Sequence, residues 1–222
     1  TQEVRALQDR VITQWSKQKA ITELRDEIAE VLTDNGGVLT ALETAEALLL
    51  RRGCLQEGDL RDRWAQAVAR AAVDTELARQ SPRWIIRRIG RRLVLADNTQ
   101  GSGEALADYA EALGQLADEC AAQPELLSPA RALEKVRNVP APEAALGLSN
   151  ARLLRLAAAA SQGAALSSRA EFYPIGMSAA RALELARGAL LGSHALGVQA
   201  VQDRVRGRYP AAEPLPGRPS LD

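Results

Sequence analysis

Apolar side chains recur along most of this chain at steps of three and four, the spacing of one helix face. Leu24, Ile28, Val31 and Leu32 predict a helix over residues 20–33. Asn35-Gly36-Gly37 closes it, because Asn and Gly tolerate the left-handed backbone of a helix stop. Thr40 and Glu43 have the S/T-x-x-E spacing of a capping box. They open a second helix, with Ala45, Leu48 and Leu49 behind them, that ends at Gly53. A third helix spans residues 59–80, where Leu60, Trp64, Val68 and Ala71 are spaced for one buried face. An N-terminal helix within residues 1–19 precedes them all.

After Ser81-Pro82 the period drops from 3.6 to 2. Residues 83–95 alternate as two short strands around Gly90, which predicts a β-hairpin. Three helices followed by a hairpin is the layout of a winged-helix domain, here over residues 20–97. A lone hairpin is marginal in water and must lean on the helices, with Trp84 and Val94 as the expected contacts.

Residues 98–145 read as linker helices. A polar, glycine-containing stretch from Asn98 to Gly103 leads into a helix over 104–122. Its Leu106, Tyr109, Leu113, Leu116 and Cys120 form a heptad-like seam with Cys120 inside. Ser128-Pro129 supplies an N-cap and a first-turn proline for a short helix. Pro140 and Pro142 mark a boundary. A C-terminal helical domain follows over 146–209, with helices at 149–160, 178–191 and 198–208 and an irregular or extended piece through 166–174. The tail over 210–222 is too rich in proline for helix. The expected fold is therefore mainly α, a winged helix followed by a second helical unit, with a tandem winged helix as the alternative. Residues 4–11 and 198–205 share six of eight identities, an echo that repeated modules or simple convergence of amphipathic helices both explain.

Composition narrows the picture. Hydrophobic residues make up 46% but aromatics only 3%, so alanine and leucine must fill the core and helices can pack closely. Lys17, Lys19 and Lys135 are the only lysines; every other basic residue is arginine, whose planar fork suits carboxylate or phosphate alike. Formal net charge is zero, which argues against coating nucleic acid by bulk electrostatics. The charge is segregated, however. Residues 83–92 hold five arginines and no acid. Residues 149–210 carry eight arginines against Glu171, Glu184 and Asp203, a net of +5, and residues 104–148 run to −5. Two cysteines, Cys54 and Cys120, make no disulfide framework and fit a reducing, cytoplasmic setting. No apolar run approaches the length of a membrane span. Opening on Thr1 and closing on Pro-Gly-Arg-Pro-Ser-Leu-Asp, the chain reads as a piece of a longer polypeptide.

Catalytic chemistry is not legible. His194 is the single histidine, in an expected interhelical turn with no nucleophile elbow nearby. Cys54 and Cys120 lack CxxC or HxxxH companions, so no metal site is expected. Gly101-Ser102-Gly103 imitates the start of a dinucleotide fingerprint, but its third glycine position is Leu106 and no second parallel strand follows. A flexible linker accounts for those glycines, and no cofactor is expected. Neither a Walker lysine nor any protein-kinase signature occurs.

Two stretches carry a family resemblance. Gly36-Gly37-Val38-Leu39-Thr40, running on through Glu43 to Gly53, together with the 81–96 hairpin, resembles a helix-rich module downstream of the catalytic parts of large bacterial kinases. Leu166-Ser-Ser-Arg-Ala-Glu-Phe-Tyr-Pro-Ile-Gly-Met177, then Ala180-Arg-Ala-Leu183, Val205-Arg-Gly-Arg-Tyr-Pro210 and Pro214-Leu-Pro-Gly-Arg-Pro219, is similar to the C-terminal region of PglW-type serine/threonine kinases of phage growth limitation systems. The resemblance implies bacterial antiviral defence, partners among the components of a defence complex, and a kinase domain outside these residues. It carries over no catalytic residue.

The functional expectation is a non-catalytic, DNA-binding winged helix. Arg83, Arg87, Arg88, Arg91 and Arg92 on the wing would meet phosphates, and Arg51, Arg52, Arg61 and Arg63 lie where a helix-turn-helix meets DNA. Asp59 and Asp62 beside them would repel phosphate. The alternative is a protein-docking module, in which the arginine-rich hairpin is a solvated edge guarded by charge.

Overall fold

The structure is a computed structural model describing residues 2–190 and 196–217. His194 lies outside the described residues. Helix dominates, in two compact units: residues 1–111 with 140–149, and residues 112–139 with 150–222.

Unit 1 begins with α1 (Gln2–Ser16) and α2 (Lys19–Asp34), followed by β1 (Val38–Thr40), α3 (Ala41–Arg52) and α4 (Gly58–Leu77). The hairpin β2 (Trp84–Ile89) and β3 (Arg92–Asp97) comes next, then the first half of α5 (Gly103–Ala121). The sheet is antiparallel in the order β1-β3-β2. Its third strand went unseen in the sequence because three residues are too few to show a period. β1 exists by pairing Val38, Leu39 and Thr40 with Ala96, Leu95 and Val94.

Local signals account for the joints. Gly36 and Gly37 both take positive φ, and the Gly37 amide donates back to the Leu32 carbonyl at 2.7 Å. Thr40 ends β1 and caps α3: its hydroxyl accepts from the Glu43 amide, while its own amide donates to Glu43 at 2.8 Å. Gly90 holds φ +55° at the first place of the two-residue hairpin turn, as a II′ turn requires. The 98–103 stretch is not a loose linker. Asn98 accepts the Gly101 amide on its carbonyl and the Gly103 amide on its side chain, fixing the entry to α5.

The core of unit 1 joins Leu24, Ile28 and Leu32 of α2 to Ala45 and Leu48 of α3, with Trp84 and Leu95 of the hairpin. Trp84 makes the expected contact with the helices; Val94 is fully buried at the centre of the sheet. The expected burial on α4 holds at Ala71 and fails at the other three positions. Leu60, Trp64 and Val68 are exposed (48%, 56% and 37%), and α4 buries Ala65, Ala69, Ala72 and Val73 instead. Packing against α2 and α3 brings the helix axes close, and only short side chains fit between them.

Unit 2 holds the rest of α5, then α6 (Pro129–Arg137), α7 (Asn150–Ala160), β4 (Ala164–Leu166), β5 (Phe172–Pro174), α8 (Ala179–Leu190) and α9 (Val198–Arg208). The piece expected as irregular or extended, 166–174, holds the turn and β5 of a β4–β5 hairpin whose first strand starts two residues earlier. The seam on α5 buries Leu113 and Cys120, and burial pushes the Cys120 thiol up from its ordinary range. Gly114 permits the close passage of α7, since a Cβ there would stand 2.7 Å from the Ala160 backbone. Tyr173 and Tyr209 meet edge to face at 5.1 Å in a small core with Met177 and Val205.

Candidate interaction surface

A buried carboxylate sets the hairpin of unit 1. Glu76, at 0% exposure near the end of α4, accepts the Arg83 backbone amide at 3.1 Å and the Arg83 guanidinium on both oxygens. Arg25 and Arg79 stand 3.4 and 3.5 Å from the same carboxylate. Burial alone would raise Glu76, but the hydrogen bonds from Arg83 and the neighbouring positive charges outweigh it and hold the carboxyl below its usual range. Arg83 also pairs with Asp26 at 2.9 Å and lies 5.2 Å from the centre of the Trp84 ring. This arginine fastens β2 to the helices.

The other nominated arginines fall into two groups. Arg87 leaves β2 sideways and pairs with Glu104 and Asp108 of α5. Arg51 pairs with Glu30 and Asp34, and Arg52 makes a bidentate pair with Glu27, so both tie α3 to α2. Arg61 pairs with its neighbour Asp62 at 3.0 Å. Arg88 and Arg63 are exposed, without an ion pair among the described residues. Arg91 is exposed and Arg92 half-buried at the tip of the hairpin, where both have interactions within the protein. The structure thus brings Arg88, Arg91 and Arg92 together at one turn, while Arg51, Arg52, Arg61 and Arg63 lie on the helices.

A surface that sequence reasoning missed lies between α3 and α4. Three adjoining concavities run along their junction. One of about 580 Å³ lies against the hairpin, lined by Leu42, Val73, Ile86 and Leu93 with Arg91 and Arg92. The next, of about 550 Å³, has Ala45 and Ala65 among its lining residues, with Leu42, Leu49 and Leu50 around it. The last includes Trp64 and Val68. Leu50 is 89% exposed. Glu46 lines the middle concavity and has no hydrogen bond or ion pair among the described residues. Partial burial, with the nearby charges of Glu43 and Asp62, raises its carboxyl above the ordinary range. The signal that could have found this surface is the α4 stripe itself, which is apolar and was assigned to the core.

Among the described residues no group of three or more His, Cys, Asp or Glu could hold a metal ion, and no helix is long and apolar enough to cross a membrane.

No protein-family model matches the chain, and no solved structure matches it. A curated protein, the probable kinase PglW of Streptomyces coelicolor, is 32% identical to it over 223 aligned positions. That similarity takes in 88% of this chain, well beyond the stretches that carried the resemblance, and 14% of the relative's length. The chain is thus similar to one segment of a much longer PglW kinase.

Proposed function

We propose that this chain is a non-catalytic, kinase-associated segment of a bacterial PglW-type protein, and that its residues 19–97 form a winged-helix module used for protein docking. The element order α2-β1-α3-α4-β2-β3 and the strand order β1-β3-β2 support the winged-helix reading. In unit 2 the order helix, helix, hairpin recurs after α5, which favours the tandem form. The resemblance to phage growth limitation kinases points to a role in antiviral defence.

One observation carries the docking reading: α4, the helix that would enter a DNA groove, turns Leu60, Trp64 and Val68 outward. A groove-reading helix needs donors and cations there, and Asp59 and Asp62 oppose phosphate at its start. An exposed apolar stripe instead gains free energy by leaving water against another protein.

DNA contact is the second reading, favoured by Arg88, Arg91 and Arg92 around the Gly90 turn, with Arg63 on α4. Titrating a fluorescent 20-base-pair duplex with the chain across about 25 to 200 mM salt separates the two. The docking reading expects no binding above background at the low-salt end. Binding that falls steeply with salt, and is lost when Arg88, Arg91 and Arg92 become alanine, overturns it in favour of DNA.

A further inference from the structure

On α3, Leu42, Glu46 and Leu50 are spaced by four, so they share one outward edge. The edge runs apolar, acidic, apolar over about 12 Å of helix, more than two turns. Ala45 and Ala65 behind it are buried and short, which leaves the concavity of about 550 Å³ between α3 and α4. Charges elsewhere along this junction are met inside the protein: Arg52 by Glu27, Arg61 by Asp62, Arg70 by Asp74. Glu46, itself exposed, is the exception among the described carboxylates lining it, and stands between two exposed leucines on its edge. A partner that covers this edge with apolar surface would also have to match its acidic centre, and a cation between apolar residues does both.

We infer that the furrow between α3 and α4 receives an amphipathic helix of a partner protein, apolar toward Ala45 and Ala65 and bearing a lysine or arginine opposite Glu46. The inference rests on the docking reading above and names the chemistry of its partner. The partner helix lies along α3, with leucine-sized residues one turn to either side of its cation, over Leu42 and Leu50. The basic residue meets Glu46, and the leucines cover the exposed edge.

The test is a phage-displayed library of 18-residue amphipathic helices, randomised beside the apolar face and selected on the full 222-residue chain. The expected winners carry Lys or Arg between two apolar positions. They bind Glu46→Lys at least about tenfold more weakly, and selection on Glu46→Lys then enriches Glu or Asp at that position. Leu42→Asp with Leu50→Asp, both at exposed sites that leave the circular dichroism unchanged, abolishes binding. Winners with no charge preference, or indifferent to Glu46→Lys, overturn the inference while leaving docking in place. No enrichment, or enrichment that survives the double aspartate variant, overturns it as well. Self-association in sedimentation equilibrium that the double variant removes makes a second copy of this chain the occupant, and also overturns it. Salt-sensitive duplex binding in the titration above defeats the docking reading itself.

Discussion

The β2–β3 and β4–β5 hairpins solve one problem in opposite chain order. A short hairpin is marginal in water, and each is fastened to helix by a glutamate among arginines. In unit 1 the carboxylate comes from helix: Glu76 of α4 reaches the backbone and side chain of Arg83, just ahead of β2. In unit 2 it comes from the hairpin. Glu171, just before β5, accepts from Arg208 of α9 at 3.1 Å and from Ser167 at 2.9 Å, with the Tyr209 hydroxyl at 3.4 Å. The depth differs too. Glu76 has no exposed side-chain surface and Glu171 keeps 15%. Both networks enclose a nitrogen without a hydrogen-bond partner among the described residues, Nε of Arg25 and of Arg208. The lesson is that the cost of removing either glutamate depends on how much buried positive charge it leaves behind.

The largest effect is therefore expected from Glu76→Ala, which strands Arg25, leaves Arg83 with Asp26 alone, and should cost roughly 3–5 kcal/mol. All three tryptophans lie in unit 1, so tryptophan fluorescence in urea reports the loss directly. Glu171→Ala should cost less, roughly 1–3 kcal/mol, because it leaves a single arginine, Arg208, which keeps its bond to the Leu185 carbonyl. Equal losses for the two variants would break the comparison.

Solution pH sharpens it further. Glu76 is held below its ordinary 4.5 in the folded state. Its contribution is complete above that value and is lost as pH falls through the depressed one. Tyr209 has the opposite sign. Burial, then the Glu171 charge, push it from 10.0 up to about 12. The folded state thus prefers the neutral phenol, and its contribution is complete below pH 10 and disappears between 10 and about 12. Thermal melts should show the tryptophan signal of unit 1 weakening on the acid side, less so in Glu76→Gln. The alkaline loss should shrink in Tyr209→Phe.

The smallest effect belongs to Arg87→Ala. Arg87 bridges the β2–β3 hairpin to Glu104 and Asp108, but those acids are about two-thirds exposed, so at most about 1 kcal/mol is at stake. A loss rivalling that of Glu76→Ala would show that the hairpin is held at its surface instead of at its base.

Element boundaries were readable wherever chemistry is local. The Thr40–Glu43 box, Asn35-Gly36-Gly37, Ser128-Pro129 and the Gly90 turn each act within a few residues, and each stands where the pattern placed it. The partnership of Trp84 with the helices was also legible, since a hairpin must bury its largest side chain. The apolar rhythm of α4 located the helix but misplaced its face. Periodicity gives weight to the largest apolar residues, whereas helices at close range admit the smallest ones. Likewise, five arginines between residues 83 and 92 were visible at once, but not which of them had acids to meet.

The sequence by itself determined that this chain is mostly helix, where its helices cap, and that one hairpin follows the fourth of them. Only the tertiary structure decided that Val38, Leu39 and Thr40 form a strand, that Glu76 locks Arg83, and that Leu60 and Trp64 face outward while alanines fill the core. Caps and turns are settled by neighbours along the chain. Strand partners, ion pairs and buried faces depend on residues up to tens of positions away, as with Arg83 and Asp26, and no local pattern records them.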